Sequence, residues 1–188
     1  MQIPDLPITS TAPISSAFLA KGLKTFVEAA DFVGKLPYGR NANKSDLTTV
    51  FNDNCGTCST KHALLKKLAE ENGFHDLKLF LGIFKMHAGN TPRVEETLAR
   101  ASLDYLPEAH NYLKYKGQVL DFTFGKAVDE PFFLKDLILE IEIPANAITA
   151  FKVTFHKTYL NTWLEENRIP LTMEQVWAVR ERCIAALG

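Results

Sequence analysis

The sequence predicts an α+β fold, from three observations. Apolar residues recur at helical spacing near both ends, LKLFLGIF at 77–84 is an apolar run of strand length, and Lys116-Gly117 is a turn signal between two further strand candidates. Helices gathered at the ends of a run of antiparallel strands are the pattern of α+β proteins. We expect N-terminal helices, one helix packed on an antiparallel β-sheet, and C-terminal helices. The chain has 188 residues, the length of a single domain, so residues 1–188 are taken as one unit.

Taken in order, residues 1–16 hold three Pro with several Ser and Thr and read as an extended surface leader. Phe18, Leu19, Leu23, Phe26, Val27, Ala30 and Val33 share one helical face, which predicts a single helix from Ser16 to Leu36 closed by Gly34 and Pro37. Residues 37–54 are polar and turn-rich and predict a loop with at most one helical turn. A helix from Cys58 to Asn72 follows, with Thr57 or Ser59 as cap and Gly73 just past its end. The run 77–84 is a buried central strand. A short helix at Arg93–Ala101 precedes a hairpin of His110–Leu113 and Val119–Phe124. Leu137–Ile143 and Ile148–Phe155 are two more strand candidates separated by Pro144. Residues 156–188 are a C-terminal helical extension, with Thr172 and Gln175 in a capping-box pattern.

Composition excludes several classes of function. With 21 Lys+Arg against 22 Asp+Glu and five His, the formal net charge is −1, so no large field recruits nucleic acid or an anionic membrane. The chain has no apolar stretch of spanning length and no signal peptide pattern at its start. Three cysteines, Cys55, Cys58 and Cys183, are too few for a disulfide framework, which fits a reducing cytoplasm. Cys183 falls on the apolar face of the last helix and reads as core.

Cys58 is the first residue with chemical promise. A thiol at a helix N-terminus meets unpaired N–H groups and the positive end of the helix dipole, which stabilise the thiolate. The same N–H groups can serve an oxyanion formed when that thiolate attacks a carbonyl, and Gly56 offers a tight entry that lets a substrate approach the backbone. A nucleophile needs a base. Centring the hairpin on Lys116-Gly117 sets Tyr115 opposite Gln118, Tyr112 opposite Asp121 and His110 opposite Thr123. His110 and Asp121 are then diagonal neighbours on one face, roughly 7–8 Å apart at the backbone and within reach of a hydrogen bond. Asn52 and Asn54, just before the nucleophile, are candidates for a second oxyanion donor.

These residues together resemble the transglutaminase-like superfamily, cysteine enzymes related in core geometry to papain. The resemblance covers about residues 50–125. It rests on Gly56-Thr57-Cys58 opening the helix STKHALLKKLAEENG, on the strand LKLFLGIF, on His110-Asn111-Tyr112 opening a strand, and on Val119-Leu120-Asp121-Phe122-Thr123. It implies Cys58 as nucleophile, His110 as general base and acid, and Asp121 as the group orienting the imidazole, with no cofactor. It further implies a peptide, protein or small acyl substrate bearing an amide, ester or thioester. The sequence departs from the family pattern at Asn111, where a smaller residue is usual, and in residues 85–109, which resemble an insertion. Residues 37–54 and 85–109 are the loops expected to shape specificity.

Other readings stay open at this point. Cys55-Gly56-Thr57-Cys58 is a CxxC, the arrangement of thiol-disulfide oxidoreductases, although no strand is predicted immediately before it. His62, one turn after Cys58, is the rival base. Zinc lacks a second ligand pair, so no metal is expected. An inactive binding module of the same fold is the non-enzymatic alternative.

Overall fold

The computed structural model describes residues 3–188, so Met1 and Gln2 of the expected leader lie outside the described residues. Its helices are α1 (Pro13–Ala20), α2 (Phe26–Lys35), α3 (Thr49–Asn52), α4 (Cys58–Glu71), α5 (Glu95–Arg100), α6 (Ala150–Glu166) and α7 (Met173–Ala185). The strands are β1 (Leu77–Met86), β2 (Leu106–Tyr115), β3 (Gln118–Leu120) and β4 (Leu137–Glu142). They form one antiparallel sheet in the order β3-β2-β1-β4. The α+β expectation holds. Among the described residues no helix is long and apolar enough to cross a membrane.

Both faces of the sheet are covered. On one face Leu77, Leu79, Leu81 and Ile83 of β1 join Ala109 and Leu113 of β2 against α1, α2 and α4. This alternation is what a strand delivers, since side chains two apart share a face. On the other face Phe84, Met86 and Tyr112 pack with Leu98 of α5, Leu160 and Trp163 of α6 and Val176 and Val179 of α7. The helix that begins at Cys58 therefore lies in the core, with Leu64, Leu65 and Leu68 fully buried.

Four expectations need correction. The helix expected over Ser16–Leu36 is two helices: Gly22 turns at φ +79° and Thr25 starts α2 with a capping box, its side chain accepting from Glu28 N–H. The apolar spacing continues across the break because both helices press on the same core. The leader is extended only to Ala12 and is not merely superficial, since Ile8 is buried and Thr9 and Ser10 donate their N–H groups to Asn72 Oδ1. The segment expected as a strand at Ile148–Phe155 is the first part of α6, so the C-terminal helical region begins at Ala150, ahead of residue 156. Its alternating Phe151, Val153 and Phe155 imitate a strand, yet Phe151 and Val153 are exposed while Lys152, His156 and Leu160 are buried one turn apart. Finally, β3 stops at Leu120, so the ladder carries Tyr115↔Gln118, Lys114↔Val119 and Leu113↔Leu120 but does not extend to the two pairings expected beyond.

The hairpin turn is as expected, with Lys116 at φ +48° and Gly117 at φ +79°, the left-handed pair of a type I′ turn. Beyond β3 the chain folds back over α2 and α4. Lys61 of α4, fully buried, donates to Leu36 O at 2.6 Å and Thr123 O at 2.7 Å and ties both connections to the helix. Gly34 sits so close to this segment that a Cβ there would lie 2.4 Å from Gly125 O. We expect Gly34→Ala to displace residues 122–125 and to lower unfolding stability by about 1–3 kcal/mol, the usual cost of overpacking, measured by urea denaturation.

Candidate active site

Cys58 is the first residue of α4. Thr57 is the cap, its Oγ1 accepting from Thr60 N–H, while Thr60 Oγ1 accepts from Thr57 N–H at 3.0 Å. Gly56 is closely covered on its side-chain side: a Cβ there would meet Lys61 Cγ at 2.9 Å and Thr60 Oγ1 at 3.1 Å, so the absence of a side chain lets the chain pack against the start of α4. The sulfur itself is nearly buried, with two small cavities of about 60 and 30 Å³ reaching it.

His110 on β2 and Asp121 just after β3 come together as the hairpin register predicts. His110 Nε2 lies 3.0 Å from Asp121 Oδ2, and both residues are buried. Asp121 Oδ1 accepts from Thr123 N–H at 2.9 Å and Thr123 Oγ1 at 2.6 Å. The ring is clamped by aromatic neighbours, with Phe133 4.6 Å and Phe132 5.4 Å away between centroids. Nε2 is occupied by the carboxylate, which leaves Nδ1 for the sulfur of Cys58.

The electrostatics of the three groups are mutually dependent. Burial pushes the Cys58 thiol up, but the Lys152 ammonium, the His110 imidazolium, a hydrogen bond from that ring and the Asn111 N–H outweigh it and bring the thiol down to about 5. Burial pushes His110 down, but the Asp121 carboxylate and the Cys58 thiolate raise it to about 10. Burial likewise opposes ionisation of Asp121, and His110, His62 and Thr123 hold its carboxyl well below the usual range. The shifts of all three groups favour a thiolate–imidazolium pair with an ionised carboxylate behind it.

Lys152 is the residue that sequence reasoning missed. It projects from α6, is buried, and donates to Ser59 Oγ at 2.8 Å and Asn111 Oδ1 at 2.9 Å, with Cys58 Sγ at 3.7 Å. Ser59 Oγ in turn donates to Asn111 Oδ1 at 2.9 Å, and Asn111 Nδ2 donates to Phe80 O. Asn111, the departure from the family pattern, is thus the acceptor that holds the lysine beside the sulfur. The available signal was the pair Lys152 and His156, polar residues four apart, which share a helical face.

The remaining candidates fall as follows. His62 donates from Nδ1 to Cys58 O at 2.7 Å and accepts Phe122 N–H at Nε2 at 2.8 Å, so both ring nitrogens are committed to backbone. Burial holds it down at about 4, neutral, and it staples the helix start to the residue after Asp121. Cys55 is half-buried with its sulfur 4.0 Å from Arg40 O, and burial and Asp53 push its thiol up, opposite to Cys58. Asn52 ends α3 and Asn54 turns at φ +50°; both are exposed, and neither lines the cavities at Cys58. Cys183 is fully buried, as expected of core. Among the described residues no three His, Cys, Asp or Glu side chains cluster as metal ligands would.

Around the sulfur, the more polar cavity is bordered by Tyr38, Arg40, Lys44, Lys152, His156 and Arg180, with Ile148, Val153 and Ile184 between them; the other is apolar, with Phe84, Met86, Phe124, Phe132 and Leu187. Arg180 of α7 grips Glu108 through Nε at 2.9 Å and Nη2 at 2.6 Å, and His156 Nε2 lies 2.8 Å from Pro107 O. These contacts fix α6 and α7 as one wall of the site. His156 and Trp177 border the polar cavity, and Phe132 and Phe133 bracket the His110 ring. Compared with protein-family models, curated proteins and solved structures, the chain gives no match.

We expect the rate of Cys58 alkylation by iodoacetamide to rise with pH around a midpoint near 5, since the folded thiol titrates there. Lys152→Met and His110→Ala each remove a cation from the thiolate and should move that midpoint up by about 1–3 pH units, with circular dichroism checking that the fold survives.

Proposed function

We propose that this chain is a cysteine acyl-transfer enzyme of the transglutaminase-like type, hydrolysing or transferring an acyl group through a thioester on Cys58. The observation that carries the reading is the His110 ring held between a depressed thiol and a buried carboxylate, with Nε2 3.0 Å from Asp121 Oδ2. A buried ion pair of this kind costs several kcal/mol in desolvation, and packing alone gives no reason to keep it.

In this reading the Cys58 thiolate attacks the carbonyl carbon of an amide, ester or thioester, and the carbonyl electron pair moves onto oxygen. The N–H groups of the first turn of α4 supply positive potential to that oxyanion, and Lys152 adds a full charge nearby. Collapse re-forms the carbonyl and expels the leaving group, which takes the Nδ1 proton of His110. Water or an amine then gives a proton to His110 and attacks the thioester, and expulsion of the Cys58 thiolate closes the cycle. Asp121 keeps the ring oriented and compensates the imidazolium, and Thr123 in turn orients Asp121. Phe132 and Phe133 exclude water from the ring.

Incubation with a panel of amide, ester and thioester donors, followed by intact-protein mass spectrometry, should show one acyl adduct on Cys58. Cys58→Ala should form none and Cys55→Ala should still form it, whereas a CxxC redox cycle would need both thiols. His110→Ala should slow acylation by about 10²–10⁴-fold. Absence of any adduct across the panel, with the fold intact, would instead indicate a binding module.

A further inference from the structure

The polar cavity at Cys58 is charged unevenly. Four cations border it, Arg40, Lys44, Lys152 and Arg180, against one carboxylate, Glu108. Glu108 is taken by Arg180 through two hydrogen bonds, and Arg40 is paired with Glu181 at 2.5 Å. Lys152 faces the Cys58 sulfur. Lys44 stands exposed at the mouth, where the cavity adjoins a larger groove of about 640 Å³, and among the described residues no carboxylate pairs with it. Burial and the like charges of Lys152, Arg40 and Arg180 hold its ammonium below the usual lysine range, with Cys58 opposing them.

In the resting site the charges alternate: Lys152 positive, Cys58 negative, His110 positive, Asp121 negative. Acylation removes the sulfur's charge, and the leaving group removes the proton on His110. Asp121 then remains with its hydrogen bonds from Thr123, and near His62 at 3.5 Å. Lys152, however, loses the anion it touches: Glu108, which acts on it from the wall of the same cavity, is already held by Arg180 through two hydrogen bonds, and among the described residues no carboxylate pairs with Lys44. A cation that loses its counter-charge in a largely dry site is costly.

We propose that the acyl donor brings the missing charge: it carries a carboxylate on its acyl portion, which binds in the cavity bordered by Lys44 and Lys152. This rests on the reading of Cys58 as the nucleophile that becomes acylated. The reaction is Cys58–S⁻ with R–CO–SR′ giving Cys58–S–CO–R, and the departing thiolate leaves as R′SH with the proton of His110. R contains the carboxylate. The small volume of the cavity, about 60 Å³, suits one such group and leaves the remainder of the donor to the apolar cavity that also reaches the sulfur.

The test compares matched thioesters of N-acetylcysteamine in a Cys55→Ser background, following acylation of Cys58 by mass spectrometry. The succinyl donor should acylate about tenfold faster than the butanoyl donor, the order expected of one charge-assisted contact, and the ratio should shrink with added salt and in Lys44→Gln. Equal rates, or a faster butanoyl donor, would overturn the proposal. A 3-phosphonopropanoyl donor faster than the succinyl one would overturn the assignment to carboxylate. If no thioester acylates Cys58, the enzymatic reading falls, and alkylation separates the two ideas. The ratio of iodoacetate to iodoacetamide rates at Cys58 should exceed that of a free thiol such as glutathione. A ratio at or below the free-thiol value would remove the anion site itself.

Discussion

A sulfur anion held out of water is the constraint on which the rest of this site depends. An isolated thiolate in a protein interior would take up a proton, because desolvation costs an ion several kcal/mol. Cys58 escapes that fate through a row of opposite charges drawn from four parts of the chain: Lys152 from α6, the sulfur from α4, His110 from β2, and Asp121 from the end of β3. Each member is satisfied by the next, and the row ends on hydroxyl and amide hydrogen bonds from Thr123. Removing any interior member leaves two like or unpaired charges adjacent, so the four behave as a unit.

The scaffold exists to bring those four parts to one point. Helix α4 presents Cys58 because a Thr57–Thr60 capping box fixes where the helix begins. The hairpin presents His110 and Asp121 because the Lys116-Gly117 turn fixes its register. The two are joined by His62, which donates to Cys58 O and accepts Phe122 N–H, and by Lys61, which holds Thr123 O. Both side chains are fully buried polar groups whose hydrogen bonds go to the backbone. Their work is geometric. They set the distance between Cys58 and the Asp121 carboxylate, and burial keeps His62 neutral.

Much of this was legible in the sequence, for reasons that differ by element. The helix at Cys58 and the strand at 77 carried strong local signals, a cap and a continuous apolar run, and the hairpin register followed from a two-residue turn. His110 and Asp121 could therefore be paired without knowing anything distant. Lys152 could not, because its segment inverts the ordinary rule: Phe151 and Val153 face solvent, while Lys152 and His156 face inward. An apolar alternation then reads as a strand although the buried residues follow a helical period. The single long helix expected at the N-terminus failed differently, since two helices packed on one core preserve apolar spacing across the turn that separates them. The role of Asn111 was also out of reach, because its meaning lies in a lysine forty-one positions away.

One further property follows from where α4 lies. Ala63, Leu64, Leu65 and Leu68 have no exposed surface, so the mid-helix amides of α4 belong to the part of the fold that opens at the highest energy. The segment bearing Arg40 and Lys44 is exposed and is held by a few side-chain hydrogen bonds, chiefly from Asn41 and to Asp53, so it opens with far less energy. Cys58 and the rim of its cavity thus belong to cooperative units of different stability. Substitutions can accumulate in the rim without weakening the unit that holds the sulfur, and the lining of the cavity can change while the row of charges stays fixed.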